Sequence, residues 1–301
     1  EDRIALVTGA SKGIGRGIAV QLGADGATVF VTARNQPELE LTASRIVEAG
    51  GQATALACDH GDDGQVAAVF DEIAQRHGRL DLLVNNASPD FSSMVGKPFW
   101  ELPAEAMDAC LDIGPRSNFV ASAHAARLMI EQRRGLIVNI SSHGAEDYIL
   151  ATTYGAGKAA IDKLTRDMAL ELAPYDVAVV SLWPGLVKTE RVMRQIAESP
   201  DGRAEVAGLD LAIGESPLFS GLAITALATD PDLLARSGGS YMAARLASEY
   251  GFPDVDGTQP RAVRGLRSIM AEAEIPPFWR TVEPFTTPPR LGDAGTPAPQ
   301  G

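Results

Sequence analysis

The stretch Ile4-Ala5-Leu6-Val7-Thr8-Gly9-Ala10-Ser11-Lys12-Gly13-Ile14-Gly15 decides the fold. Its opening apolar run has no polar break, which predicts a strand covered on both faces. Its glycines then predict a tight turn into a helix over residues 13–24. Gly9, Gly13 and Gly15 have separate uses in such a turn. One permits the sharp bend, one lets backbone approach a phosphate, and one lets the helix pack on the strand. The helix start leaves N–H donors free and points its positive dipole end at any anion lying there. Gly9, Ser11, Lys12, Gly13, Ile14 and Gly15 therefore read as the cradle of a dinucleotide pyrophosphate.

Outward from this loop, apolar runs alternate with helical patterns. Strands are predicted at 28–33, 53–58, 81–86, 136–140 and 177–182, with a weak last one at 239–243. Helices are predicted over 37–49, 63–76, 116–132, 153–172 and 218–228. Such alternation predicts parallel βαβ units. The fold class is α/β: a single doubly wound Rossmann-fold domain with a parallel sheet over residues 1–250. Ligands of open α/β sheets lie beyond the carboxyl ends of the strands. Residues 188–215 follow the sixth strand, so they are placed to cover a substrate. Residues 251–301 form a C-terminal extension, partly irregular and rich in Pro, Gly and Thr. Within it Pro276-Pro277-Phe278-Trp279 either docks on a neighbour or hangs loosely.

The chain has 301 residues, 45% of them hydrophobic, enough to bury one sizeable core. Its net charge of −13 speaks against nucleic acid or an anionic membrane as partner, since both demand a basic footprint. Cys58 and Cys110 lie far apart and in no metal or redox spacing, so buried reduced thiols are expected. His60, His77 and His124 show no metal-ligand spacing either, and no metal is expected. No apolar run reaches membrane-spanning length, and no secretory leader precedes the first strand. A cytoplasmic location is the simplest expectation.

The second strand decides which nucleotide fits. An acidic residue about 20 positions past the loop would bind the ribose 2′-hydroxyl of NAD. Here that place holds Ala33, followed by Arg34. Ala33 removes the carboxylate that would repel a 2′-phosphate, and Arg34 offers a planar fork that suits one. With Lys12 as a second cation, the cofactor is expected to be NADP, with NADPH preferred over NADH. Asp59, closing the third strand, is either an acceptor for adenine N6 or a plain turn aspartate.

Tyr154 and Lys158 lie four residues apart on a predicted helix and so share a face. A fixed cation favours phenolate, which predicts a Tyr154 pKa below the ordinary value of about 10. A phenol so tuned can give a proton to a carbonyl oxygen or take one back. Ser142, at the end of the fifth strand, can donate to that same oxygen. His143 reads as a loop polar residue or pocket wall. Pro184, Gly185 and Val187 lead from the sixth strand to Thr189, which either bonds a nicotinamide carboxamide or caps a helix.

These residues resemble the short-chain dehydrogenase/reductase family. The match runs, in family order, through Thr8-Gly9-x-x-x-Gly13-x-Gly15, Asn85-Asn86-Ala87, Ser142, Tyr154-x-x-x-Lys158 and Pro184-Gly185-x-x-x-Thr189. The resemblance implies that Tyr154 is the acid/base and that Ser142 positions the substrate oxygen. It implies that Lys158 lowers the Tyr154 pKa and binds nicotinamide ribose, with Asn86 and Ala87 beside the cofactor. It also implies a homodimer or homotetramer built on the helices at 116–132 and 153–172. Gly78-Arg79-Leu80-Asp81, Ser181-Leu182-Trp183-Pro184-Gly185, Ala228-Thr229-Asp230-Pro231 and Gly251-Phe252-x-Asp254-Val255-Asp256-Gly257 resemble the subgroup called dehydrogenase/reductase family member 1. That likeness implies NADPH-dependent reduction of small carbonyl compounds. Two positions depart from the family pattern. Ser88 stands where Asn-Asn-Ala is usually followed by Gly, and Gly114 stands where an Asn usually helps hold a relay water.

Two other readings compete. A dinucleotide-binding regulator without turnover is motivated by Gly114. A serine hydrolase is motivated by Gly9-Ala10-Ser11-Lys12-Gly13, which fits a nucleophile elbow. The elbow would follow the first strand, too early for an oxyanion loop to precede it, so the redox reading is preferred.

Overall fold

The computed structural model describes residues 3–95, 97–197, 205–206, 209–210 and 214–262. Strands β1 (Ile4–Thr8), β2 (Thr28–Ala33) and β3 (Gln52–Ala57) alternate with helices α1 (Gly13–Ala24), α2 (Gln36–Glu48) and α3 (Asp63–His77). Then come β4 (Leu82–Asn85), α4 (Ala104–Leu111), α5 (Ser117–Gln132), β5 (Gly135–Ile140), α6 (Thr152–Leu172) and β6 (Val177–Trp183). Helix α7 (Glu190–Ala197) and a small antiparallel hairpin, β7 (Glu205–Val206) with β8 (Leu209–Asp210), follow. The order closes with α8 (Phe219–Thr229), α9 (Leu233–Arg236), β9 (Ser240–Met242) and α10 (Ala243–Tyr250).

Seven strands form one parallel sheet in the order β3-β2-β1-β4-β5-β6-β9. The order reverses between β1 and β4, the switch point at which open α/β sheets bind ligands. Strands β1, β4, β5 and β6 are buried along their whole length, because helices cover both faces. Alternate side chains serve opposite layers. Ala5, Val7, Val31 and Val84 pack with Ile18, Leu22, Phe219 and Ile224 of α1 and α8. Leu6, Phe30, Leu83 and Ile137 pack with Phe70, Ile73, Ala125 and Met129 of α3 and α5. Fully burying a side chain such as Phe30 or Leu83 contributes about 1.5–3 kcal/mol.

Local chemistry sets the helix ends. Asp62 caps α3 by accepting from the N–H groups of Gly64 and Gln65, and Gly78 ends it in the left-handed region at φ 64°. Asn35 caps α2 through the Glu38 N–H. Helix α1 is different: Lys12 precedes it with no side-chain cap. The N-cap side chain itself thus satisfies none of its first N–H groups.

The predicted strands and long helices match the structure to within a residue or two. Helices α4, α9 and α10 were not expected from the sequence. The helix predicted from 116 begins at Ser117, after a kink in which Ile113 (φ −98°, ψ 65°) and Gly114 (φ −175°, ψ −109°) leave helical geometry. Of the predicted covering segment at 188–215, residues 198–204, 207–208 and 211–213 lie outside the described residues. Residues 263–301, with the Pro276–Trp279 stretch, lie outside them too.

Candidate active site

The glycine loop is built by close approach to β4. Gly9 sits at φ +64°, and a Cβ placed there would lie 2.8 Å from the Ala87 Cα. A Cβ on Gly15 would run into the Asn86 amide and the Gly9 carbonyl. Asn86 explains the fit. Its Nδ2 donates to the carbonyls of Thr8 (2.9 Å) and Gly9 (3.1 Å), while the N–H groups of Asn86 and Ala87 donate to Thr8 Oγ1 at 2.9 and 3.0 Å. Asn86 therefore shapes the loop directly. One layer deeper, Asn85 Nδ2 donates to Asn139 Oδ1 (2.9 Å) and Ser122 Oγ (3.0 Å), and Asn139 Nδ2 donates to Thr165 Oγ1 (2.9 Å). This buried chain of polar groups fixes the carboxyl ends of β4 and β5 against α5 and α6.

Ser142, Tyr154 and Lys158 come together beside that edge. The Tyr154 hydroxyl donates to Ser142 Oγ at 2.7 Å. Ser142 Oγ also accepts from the Gly144 N–H at 3.0 Å, capping the short turn His143–Ala145. Lys158 Nζ donates to the Ile140 carbonyl at 2.9 Å and lies 5.7 Å from the centre of the Tyr154 ring. Phe91 meets that ring edge-on at 4.8 Å. A cavity of about 10 Å³, roughly the size of one water, is lined by Ala87, Phe91, Cys110, Gly114, Tyr154 and Lys158.

The expected lowering of the Tyr154 pKa is corrected by this geometry. Burial raises the phenol above its ordinary value, the Ser142 hydrogen bond opposes the rise, and the Cys110 thiol adds to it. Lys158 bonds a carbonyl under the ring rather than the phenolic oxygen. Burial in turn pushes Lys158 down to about 8, against the pull of Asp162 and Cys110. Gly114 has no side chain to offer this cavity, and its carbonyl accepts from Ser117 Oγ at 3.2 Å.

Toward the adenosine end, Lys12 and Arg34 are exposed, at the N-terminus of α1 and just beyond β2. Neither makes a salt bridge among the described residues. Asp59 Oδ1 accepts from the Gly61 N–H at 3.0 Å, as a turn aspartate does. Beside it His60 is buried, with Nε2 2.9 Å from Thr32 Oγ1, and burial drives its pKa down to about 4.

Several residues with a part in this site gave no signal in the sequence. Glu190, the first residue of α7, reaches the glycine loop: Oε2 accepts from the Gly13 N–H at 2.9 Å and Oε1 from Arg16 at 3.0 Å. Arg16 is buried and also donates to the Ser11 carbonyl, Thr42 Oγ1 and Glu38. Thr189 stands over Gly13, and its Oγ1 accepts from the Val192 N–H at 3.4 Å, so it takes the helix-cap role. Glu215 is buried behind the loop at Pro184 and Gly185. Its Oε2 accepts from the Gly185 N–H at 2.9 Å, and its backbone forms a bridge with Val187. Burial pushes the Glu215 carboxyl up to about 7, the Gly185 bond opposes this, and Asp254 adds to it. His143 packs against Trp183 with ring centres 5.2 Å apart. Among the described residues no group of His, Cys, Asp or Glu is arranged to hold a metal ion, and no helix is long and apolar enough to cross a membrane.

The chain is similar to known proteins over most of its length. The family model described as short chain dehydrogenase matches residues 3–200. Mouse (Mus musculus) Dehydrogenase/reductase SDR family member 1 is 41% identical over 262 residues, covering 85% of this chain and 84% of its own. A crystal structure of a metagenomic short-chain oxidoreductase in complex with NADP superposes with a TM-score of 0.62 at 31% identity, covering 76% of this chain and 92% of the other. An actinorhodin polyketide ketoreductase variant with NADPH gives 0.68 at 28% identity, covering 80% and 95%. The chain belongs to the short-chain dehydrogenase/reductase family of nicotinamide-dependent oxidoreductases, in the dehydrogenase/reductase member 1 subgroup.

Proposed function

We propose that this protein is an NADPH-dependent reductase of small ketones or aldehydes, with Tyr154 as the acid/base. The observation that carries the reading is the 2.7 Å bond from the Tyr154 hydroxyl to Ser142, with Lys158 beneath the same ring. The residues present fit the cofactor. Helix α1 opens without a cap from the Lys12 side chain, and the glycine loop lies flat against the end of β4, where a Cβ on Gly9 or Gly15 would strike Ala87, Asn86 or the Gly9 carbonyl. Gly9, Ser11, Lys12, Gly13, Ile14 and Gly15 would hold the pyrophosphate, and Arg34 with Lys12 the 2′-phosphate. Asp59 would face adenine, and Ala87, Pro184, Gly185, Val187 and Thr189 the nicotinamide half. Bound there, NADPH supplies the hydride.

The remaining chemistry belongs to the chain. Ser142 Oγ already accepts from Tyr154 and from Gly144, so its own hydrogen is left to donate to a carbonyl oxygen. Tyr154 gives its proton to that oxygen, and the reverse reaction returns it. With one proton committed to Ile140, Lys158 keeps two for the ribose hydroxyls. The phenol starts protonated, because burial disfavours its anion.

We read residues 1–250 as the catalytic domain, 188–215 as its substrate cover and 251–301 as an extension. The charge of −13 favours a small-molecule substrate in the cytoplasm over nucleic acid or an anionic membrane. A homodimer or homotetramer through α5 and α6 is supported by Phe119 and Leu170, 53% and 75% exposed on those helices. The test is a panel of ketones and aldehydes followed by loss of NADPH absorbance. Turnover of at least one is expected. Tight NADPH binding with no turnover across the panel would instead favour the regulator reading raised by Gly114.

A further inference from the structure

Behind Lys158 lies a carboxylate that the proposed mechanism does not use. Asp162 is one helical turn further along α6 and only 3% exposed. Its Oδ1 accepts from Ser181 Oγ at 2.7 Å and from Trp183 Nε1 at 3.4 Å, both on β6. Ser141, just past the end of β5, donates to the Lys158 carbonyl at 3.3 Å. Ser141 precedes Ser142, and Trp183 precedes the Pro184-Gly185 loop. The turn from Lys158 to Asp162 is thus fastened to both strand ends that face it, the carboxylate to β6 and the Lys158 carbonyl to the end of β5.

A buried carboxylate is costly unless it is paired and hydrogen-bonded. Two neutral donors, Ser181 and Trp183, meet its lone pairs, and the opposite charge one helical turn away is Lys158, whose ammonium it stabilises. The titratable groups facing Lys158 are Asp162 and Tyr154 from α6 and Cys110 from α4. Burial lowers the Lys158 pKa, and the two pulls that oppose it come from Asp162 first and Cys110 second. The reverse also holds: Lys158 is one of the groups that keep Asp162 ionised against its own burial.

We propose that Asp162 is the positioning residue of the proton-transfer group: it keeps Lys158 an ammonium under the Tyr154 ring through the neutral pH range. It touches neither substrate nor cofactor. The inference rests on the reading of Tyr154 and Lys158 as that group.

The test is Asp162→Asn, which keeps the size of the side chain and removes its charge. Two readouts are taken. In the free protein, reductive ¹³C-methylation of the lysines lets the Lys158 signal be titrated by NMR. Its midpoint is expected to fall by about one pH unit or more, each unit being tenfold in protonation. In NADPH-dependent reduction, the alkaline limb of kcat/KM, which belongs to the Tyr154–Lys158 pair, moves the same way. The variant stays within about threefold of wild type near pH 6 and loses about tenfold near pH 9. An unmoved Lys158 midpoint overturns the proposal, as does the same loss at every pH, which marks a purely structural acid. Should Asp162→Asn not fold, Asp162→Ser decides. It removes the same charge and is expected to shift the limb in the same direction; an unshifted limb overturns the proposal. Tyr154→Phe in the same assay separates the two levels. Turnover in that variant sinks the reading beneath, whereas an inactive Tyr154→Phe with unshifted Asp162→Asn sinks the role of Asp162 alone.

Discussion

Two buried titratable residues outside the proton-transfer group work against each other as pH changes. Glu215 carries its proton up to about pH 7 in the folded chain, against 4.5 for an ordinary Glu. The native state therefore binds more protons there than the unfolded chain does. Its contribution to stability falls as pH rises through that window, by on the order of 3 kcal/mol. His60 does the opposite. Its folded pKa is lowered from 6.5 to about 4, so its contribution is lost as pH falls through that range. The two nearly cancel in wild type, and the clean signal is a difference. Glu215→Gln should gain stability relative to wild type as pH rises from about 5 to 7.5, read by urea unfolding at each pH. A difference flat with pH contradicts the assignment. At this scale the sequence was partly legible. Tyr154 and Lys158 could be read because helical spacing puts them on one face. Glu190 on Gly13 and Glu215 on Gly185 could not, since they are 177 and 30 residues from their partners and no local period links them. The direction of the Tyr154 shift was misread for a similar reason: spacing gave the cation but not the burial.

At the scale of elements, the turn after β2 and the start of α1 carry the cations proposed to set cofactor choice. Arg34 and Lys12 flank the place where an acidic ribose reader would stand. A charge-assisted hydrogen bond is worth about 1.5–3 kcal/mol. Arg34→Ala should therefore weaken NADPH about tenfold or more and leave NADH nearly unchanged, as measured by cofactor fluorescence titration. Equal weakening of both would show that Arg34 does not read the 2′-phosphate. Strands were the most legible elements, because a strand buried on both faces writes an unbroken apolar run, as Ala178 to Leu182 does. Short helices were the least. Helix α4 has eight residues between Pro103 and the Gly114-Pro115 kink, too short to show a period, and tertiary packing of Ala106 and Cys110 under Tyr154 makes it a helix.

At the scale of the molecule, one parallel sheet brings the ends of β1, β4, β5 and β6 to a single edge, where the glycine loop meets the Tyr154 side. The strand order was legible as a class from the βα alternation, while the pairing of β9 with β6 arises from contacts distant in sequence. Phe119 and Leu170 are exposed on the two helices of the proposed partner surface. Leu170→Glu should shift the protein to a smaller species in sedimentation velocity without changing its fold. A species unchanged in size places the interface elsewhere. The proposed redox chemistry depends on one phenol. The most direct measurement is Tyr154→Phe, assayed for reduction of a carbonyl substrate and for NADPH binding side by side. A loss of at least about 10²-fold in kcat/KM with unaltered NADPH affinity is predicted; turnover at the wild-type rate would contradict it.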